Sequence, residues 1–239
     1  LPFRRGDVLF NAAAVAADGA IRGIVPKCVL PNYREFYEKR HFHSGRGITD
    51  ATACIGGREV PFGADLIFDG GAGFRFGVEI CEDLWCVLPP SLYLALGGAR
   101  AVFNLSAGNE LAGKADYRRE LVTQQSARCL AAYVLAGAGV HESTTDLVFG
   151  GHAIIADNGR LAAENRRFDR ESSLTYADVD FERLGAARLS ESSFNDNPLP
   201  EGMRFRRVRL PEAAGSPDLR HASIPRHPFV PENAAGRRE

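Results

Sequence analysis

Apolar positions along this chain fall into short runs broken by turn residues. In "DVLFNAAAVAADGAIRGIVPKCVL" two such runs flank Asp18-Gly19, a pair that supplies the positive φ angles of a tight hairpin. Two strands are predicted, with Lys27 at or just beyond the end of the second. "PNYREFYEKRHF" mixes aromatic and charged residues without a period and reads as loop. "ADLIFD" and "FRFGVEI" read as strands, the second alternating Phe74, Phe76, Val78 and Ile80 against Arg75, Gly77 and Glu79. A helix is expected from near Pro90, because proline fits a first turn, and "RAVFNLSA" follows as a short buried strand. "KADYRRELVTQQSARCL" is rich in helix formers and precedes the strand-like "AAYVLAGAG". Alternating strands and helices of this kind predict an α/β fold. "GHAIIADNGRLAAE" predicts a second hairpin at Asn158-Gly159, and "LTYADVD" a further strand. From Pro211 the period gives way to Pro, Ala, Arg and Gly, so residues 1–210 read as the folded domain and 211–239 as a linker or tail.

Composition narrows the partners. Of 239 residues, 45% are hydrophobic and 25% charged, which suits a globular protein with a sizeable core. The net charge of -1, from 29 basic and 30 acidic residues, offers no footprint for nucleic acid or an anionic membrane and favours small, roughly neutral partners. No apolar run approaches the ~20 residues of a membrane span. The start, "LPFRRGDVLF", has neither a signal-peptide pattern nor an initiating methionine, and reads as that of a fragment or processed chain. Five cysteines, an odd number without paired zinc spacing, fit a reduced cytoplasmic protein better than a disulfide framework.

The candidate chemistry centres on "FGVEICEDLW", where Cys81 stands among Glu79, Glu82 and Asp83. Negative neighbours oppose thiolate formation, so a nucleophilic Cys81 needs a cation from elsewhere. The alternative is a small buried apolar residue. Lys27, at another strand end, is either that cation or a solvated surface charge. His41 and His43 invite a metal, yet nothing nearby completes a ligand set. "HESTTDLVFGGHA" offers hydroxyls, Asp146 and His152 without a G-x-S-x-G elbow, which argues against a serine triad. No G-x-G-x-x-G supports a dinucleotide fold.

The segments "GIVPKCVLPNYREFYEKRHF", "GVEICEDLW", "NLSAGNELAGKADYRR", "QQSARCLAAYVLAGAG" and "ESTTDLVFGGHAIIADNGRLAAE" together resemble the nitrilase, or carbon-nitrogen hydrolase, superfamily. The closer likeness is to the glutaminase domains of glutamine-dependent NAD synthetases. It runs in order over roughly residues 7 to 170, and "HPFVP" resembles a connector to a synthetase domain. The resemblance implies a four-layer α-β-β-α sandwich, here a partial domain. It implies a Cys-Glu-Lys triad that hydrolyses an amide through a thioester, with Cys81 as nucleophile and Lys27 as the triad lysine. Glu38 matches an auxiliary glutamate that holds the lysine or the substrate. Tyr33 and Trp85 match aromatic walls of a glutamine pocket, and Lys114 a basic position for the α-carboxylate; core aromatics and a solvated charge are the other readings of the three. Gly108 stands where the family often has serine, so that a hydroxyl toward the substrate is either missing or supplied instead by Ser106.

The family's triad glutamate lies in a "PE" motif several dozen residues before the lysine, and residues 1–26 contain no glutamate. The expectation is therefore the inner part of a two-domain enzyme, inactive and aggregation-prone as it stands. The complete enzyme is expected to hydrolyse glutamine and pass ammonia to deamido-NAD. No metal or cofactor is expected in this domain; ATP and magnesium belong to the synthetase domain. The expected partners are glutamine and that domain of the same chain, in a cytoplasmic homo-oligomer without nucleic acid or membrane. The rival expectations are a stand-alone nitrilase-type amidase and a non-catalytic assembly or regulatory module of the same fold.

Overall fold

The computed structural model describes residues 1–142, 146–212 and 220–221. The hydroxyls of residues 143–145, most of the expected tail and the "HPFVP" connector lie outside them. Asp18 and Gly19 take φ angles of 49° and 67°, so β2 (Val8–Ala17) and β3 (Ala20–Pro26) pair antiparallel across the predicted turn. With β1 (Pro2–Arg5), β4 (Ala51–Ile55) and β5 (Arg58–Phe62) they make a five-stranded sheet in the order β1-β2-β3-β5-β4. The second sheet has seven strands. Its centre is parallel, running through β7 (Arg75–Ile80), β8 (Ala101–Ser106) and β9 (Ala132–Gly137). Helix α1 (Pro90–Leu96) makes the first crossover and α2 (Lys114–Cys129) the second, one where Pro90 and the other where the run of helix formers places it. The strands β10 (Ala153–Asp157) and β11 (Arg160–Glu164) turn at Asn158-Gly159 and close one edge. On the other side lie β6 (Leu66–Asp69) and β12 (Arg206–Arg209).

Side-chain direction explains the layers. Phe76, Val78 and Ile80 of β7 face the first sheet and pack with Ala13, Val25, Leu66 and Phe68 as the inter-sheet core. The opposite face of β7 is not the solvated face its alternation implies: Gly77 lies under Leu94 of α1, and Glu79 is 1% exposed. A central parallel strand is covered on both sides. Helix, sheet and sheet of the expected sandwich are thus present. The five-stranded sheet then curls on itself, Phe3 stacking on Phe62 at 5.6 Å and Arg5 Nε donating to the Thr52 carbonyl at 2.9 Å. It encloses a core of its own from Phe10, Ala12, Ile24, Ala53, Val60 and Phe62, and the helices pack chiefly on the other sheet.

The strand expected at residues 174–180 does not form. β11 already takes that edge, so the chain crosses the sheet face instead, where Ser173 and Thr175 line a cavity with Val134, Ala136 and Ile155. Leu174 and Tyr176 are exposed, Val179 reaches the inter-sheet core, and Asp180 caps α3 (Phe181–Ser190) by accepting the Arg183 N–H. A short helix, α4 (Ser192–Asn195), follows. No helix among the described residues is long and apolar enough to cross a membrane.

Packing at the end of β9 gives a direct stability test. A Cβ on Gly137 would stand 2.7 Å from the His152 carbonyl oxygen and 3.0 Å from its nitrogen, both backbone atoms that cannot rotate aside. Gly137→Ala is expected to destabilise by about 1–3 kcal/mol. Gly139→Ala, with nothing within 4 Å, should stay within about 0.5 kcal/mol of the parent in urea denaturation.

Candidate active site

β7 ends at Ile80, and Cys81 opens a single 3-10 turn (Cys81–Leu84) with φ of 49°. Left-handed backbone at a side chain other than glycine costs about 1–3 kcal/mol and persists only where its surroundings hold it. Asn104 of the adjoining β8 does so: its Oδ1 accepts the Cys81 N–H at 3.1 Å. From behind, buried Glu79 accepts the Tyr133 hydroxyl, the Ser91 N–H at 2.8 Å and the Asn104 amide at 3.4 Å. Burial pushes the Glu79 carboxyl up, against those hydrogen bonds.

Lys27 follows β3 directly, its side chain fully buried. Its Nζ donates to both oxygens of Glu38, at 2.7 and 2.8 Å, and Glu38 begins a short 3-10 turn (Glu38–Arg40) in the loop after β3. The two sheets meet so that Lys27, Glu38, Cys81 and Ser106 line one cleft of about 310 Å³, with Asn11, Leu105 and Gly137. A thiol and an ammonium held by a carboxylate share one cavity, a nucleophile beside a cation that can stabilise an oxyanion, and Glu38, paired through both oxygens with Lys27, is the one carboxylate among the described residues of its lining.

The carboxylates that crowd Cys81 in the sequence have partners of their own. Asp83 Oδ1 accepts the Cys28 and Val29 N–H groups at 3.1 and 2.7 Å, and Oδ2 accepts that of Ile80 at 2.9 Å. Burial pushes Asp83 up to about 7, with Glu79 adding to the rise and Lys27 opposing it. Glu82 Oε1 accepts the Tyr33 hydroxyl at 2.7 Å. Burial, and then that bond, pushes Tyr33 up to about 12.

Tyr33, Trp85 and Lys114 stand outside the lining of the 310 Å³ cleft, although Tyr33 and Lys114 lie within electrostatic reach of Cys81. Lys114 Nζ sits 5.2 Å from the centre of the Trp85 ring and donates to Asn109 Oδ1, while Asn109 Nδ2 donates to Glu35 Oε1 at 2.5 Å. Burial, with Arg118 nearby, pushes Lys114 down. Trp85 also packs on Tyr117 at 5.6 Å. A Cβ on Gly108 would stand 3.4 Å from Ser106 Oγ, so that hydroxyl occupies the neighbourhood of the missing serine.

The other candidates disperse. His41 packs beside Tyr37 and His43 beside Phe10. Among the described residues no group of three His, Cys, Asp or Glu side chains could hold a metal ion. His152 is buried between Arg118 Nη1 at 2.8 Å and Glu164 Oε1 at 2.6 Å, where it braces α2 against β10 and β11. Sequence reasoning misses the supports of the site: Asn104 and Tyr133 lie within segments that carry the family resemblance, yet nothing in the sequence gives either a role. Asp83 carries a faint signal, an acid two residues past the cysteine that proves too buried to be solvated.

Residues 1–189 match the carbon-nitrogen hydrolase family. The chain is 44% identical over 237 residues to the glutamine-dependent NAD(+) synthetase of Mycobacterium tuberculosis (strain H37Rv), the alignment covering 96% of this chain and 35% of that protein. To the Mycobacterium leprae protein of the same description it is 42% identical, with the same coverage. This chain thus spans about a third of the length of those curated relatives. Among solved structures, a glutamine-dependent NAD(+) synthetase from Cytophaga hutchinsonii superposes with a TM-score of 0.65 at 28% identity, over 74% of this chain and 28% of that one. A carbon-nitrogen hydrolase from Helicobacter pylori G27 superposes with the same TM-score at 19% identity, over 82% of this chain and 66% of that one, a likeness of fold.

Proposed function

The chain belongs to the carbon-nitrogen hydrolase family, and on that premise we propose that its cleft hydrolyses the side-chain amide of glutamine through a cysteine thioester. The observation that supports this best is the convergence of Cys81, Lys27 and Glu38, from three separate stretches of chain, on one cavity. The Cys81 sulfur attacks the amide carbon, and the Lys27 ammonium and the backbone N–H after Cys81 stabilise the oxyanion. Ammonia leaves carrying the proton that began on the thiol. Water then opens the thioester to glutamate and restores the thiol. Glu38 fixes the direction of the Lys27 ammonium and is the carboxylate of the cleft lining. At the mouth, Lys114 takes the substrate α-carboxylate, Tyr33 and Trp85 wall the aliphatic stem, and Ser106 supplies the hydroxyl that Gly108 lacks.

The names of the relatives extend the proposal. Ammonia made here feeds an ATP-dependent amidation of deamido-NAD in a synthetase domain of the same polypeptide, where ATP and magnesium act, while the cleft itself uses no cofactor. Residues 1–210 form the hydrolase domain and 211–239 lead onward. The assembly is a cytoplasmic homo-oligomer that engages neither nucleic acid nor membrane.

A glutamine-like diazo ketone tests the chemistry, because it alkylates a cysteine that recognises glutamine. Peptide mapping of the natural full-length protein should find the adduct on Cys81. Burial raises the thiols of Cys28, Cys86 and Cys129, the last to about 12, which disfavours their thiolates at neutral pH. Exposed Cys54 serves as the control for simple accessibility. Labelling that favours any of these four over Cys81 would overturn the assignment.

A further inference from the structure

We propose that Asp83 is a positioning residue that fixes the spacing between the Lys27 ammonium and the Cys81 thiol by clamping the backbone beside each. The inference rests on the glutaminase reading and adds to it a group that does not line the cleft.

Lys27 and Cys81 leave different sheets. β3 belongs to the five-stranded sheet and β7 to the seven-stranded one, so no ladder of backbone hydrogen bonds sets the offset between them. What joins them across the interface is apolar: Ala13 and Val25 on one side, Phe76, Val78 and Ile80 on the other. Apolar packing is non-directional and resists sliding only through shape. Asp83 supplies direction. Its Oδ1 accepts the N–H groups of Cys28 and Val29, the two residues after Lys27, and its Oδ2 accepts the N–H of Ile80, the residue before Cys81. The carboxylate is 1% exposed, so water does not compete for these three bonds. Tyr33–Glu82 is a second link between the same two segments, but Tyr33 is 50% exposed and its hydroxyl hangs on a side chain, not on the backbone. Asp83, by contrast, touches backbone on both sides, and so holds the stabiliser of the oxyanion against the atom that forms it. An offset of about 1 Å between such groups typically costs ~10²-fold in rate.

Asp83→Asn keeps the size and replaces one acceptor by a donor, so one side of the clamp meets N–H against N–H. In the natural full-length protein, kcat for glutamine hydrolysis is expected to fall about 10- to 100-fold, with KM for glutamine within about twofold. Because the effect runs through Lys27, Asp83→Asn added to Lys27→Met should lower kcat by less than about a further twofold. Iodoacetamide, whose displacement at carbon forms no oxyanion, should alkylate Cys81 at the parent rate in the Asp83→Asn protein. An unchanged kcat, or losses that multiply in the double variant as independent structural damage would, overturns the proposal. Hydrogen exchange on the unmodified protein needs no variant to fold: the Cys28 and Val29 amides should be protected although neither lies in a strand, and exchange at free-loop rates also overturns it. Cys81→Ala, assayed in parallel, separates the two readings. Activity surviving in Cys81→Ala overturns both, whereas its loss beside an unaffected Asp83→Asn overturns this one alone.

Discussion

Cys81→Ala in the natural full-length protein is expected to reduce glutamate release from glutamine to background, a loss on the order of 10⁶-fold if deleting this nucleophile costs what it does in other acyl-transfer sites. The substitution removes one sulfur at a site that is 9% exposed and packed against the inter-sheet core, so little besides the chemistry changes. The rest of the lining offers no substitute: the Ser106 hydroxyl is a far weaker nucleophile than a thiol at neutral pH, and Lys27 is engaged by both oxygens of Glu38. Synthesis of NAD from free ammonia should persist in the same variant, because that step bypasses the thiol. Glutamine-dependent activity at parent levels would place the nucleophile elsewhere.

Lys27→Met should lower the rate of thioester formation by ~10²- to 10³-fold, the usual cost of about 3–4 kcal/mol for losing one oxyanion stabiliser. Methionine fills a similar volume, so the fully buried position is not emptied and the comparison isolates the charge. Folding is expected to suffer less than catalysis. Glu38 loses its partner, but its side chain is 24% exposed and water can take over. Lys39→Met sets the scale, since Lys39 is exposed and lies one residue past Glu38 in the same turn. The single-turnover rate of ammonia release from glutamine and steady-state glutamate release should fall together in Lys27→Met and hold in Lys39→Met. Equal effects from the two would remove any special role from Lys27.

The amino-acid order by itself determined the features that are local. Asp18-Gly19 and Asn158-Gly159 each need positive φ at two adjacent residues, a demand the chain meets within four positions, so both hairpins were legible. Proline at a first turn and a run of helix formers located α1 and α2, and the motif around Cys81 put the thiol at a strand end. Tertiary structure decided whatever depends on residues far apart. β12 reads "RRVR", a poor strand by composition, yet it pairs in parallel with β6 because Arg206 reaches Asp65, 141 residues earlier, at 2.6 Å. "LTYADVD" reads as a good strand and forms none, because β11 holds the edge. At the site the same division holds. Residue types left Cys81 and Lys27 as candidates with bland alternatives and the family resemblance gave them roles, but only the stacking of two sheets turned a lysine and a cysteine 54 positions apart into neighbours on one cleft. Glu79 and Asp83, which in the sequence look like charges hostile to a thiolate, prove to be buried acceptors for Tyr133, Ser91 and backbone N–H groups. The physical reason is that turn angles and side-chain period are properties of a few adjacent residues, whereas the partner of a buried charge is chosen by how whole sheets pack.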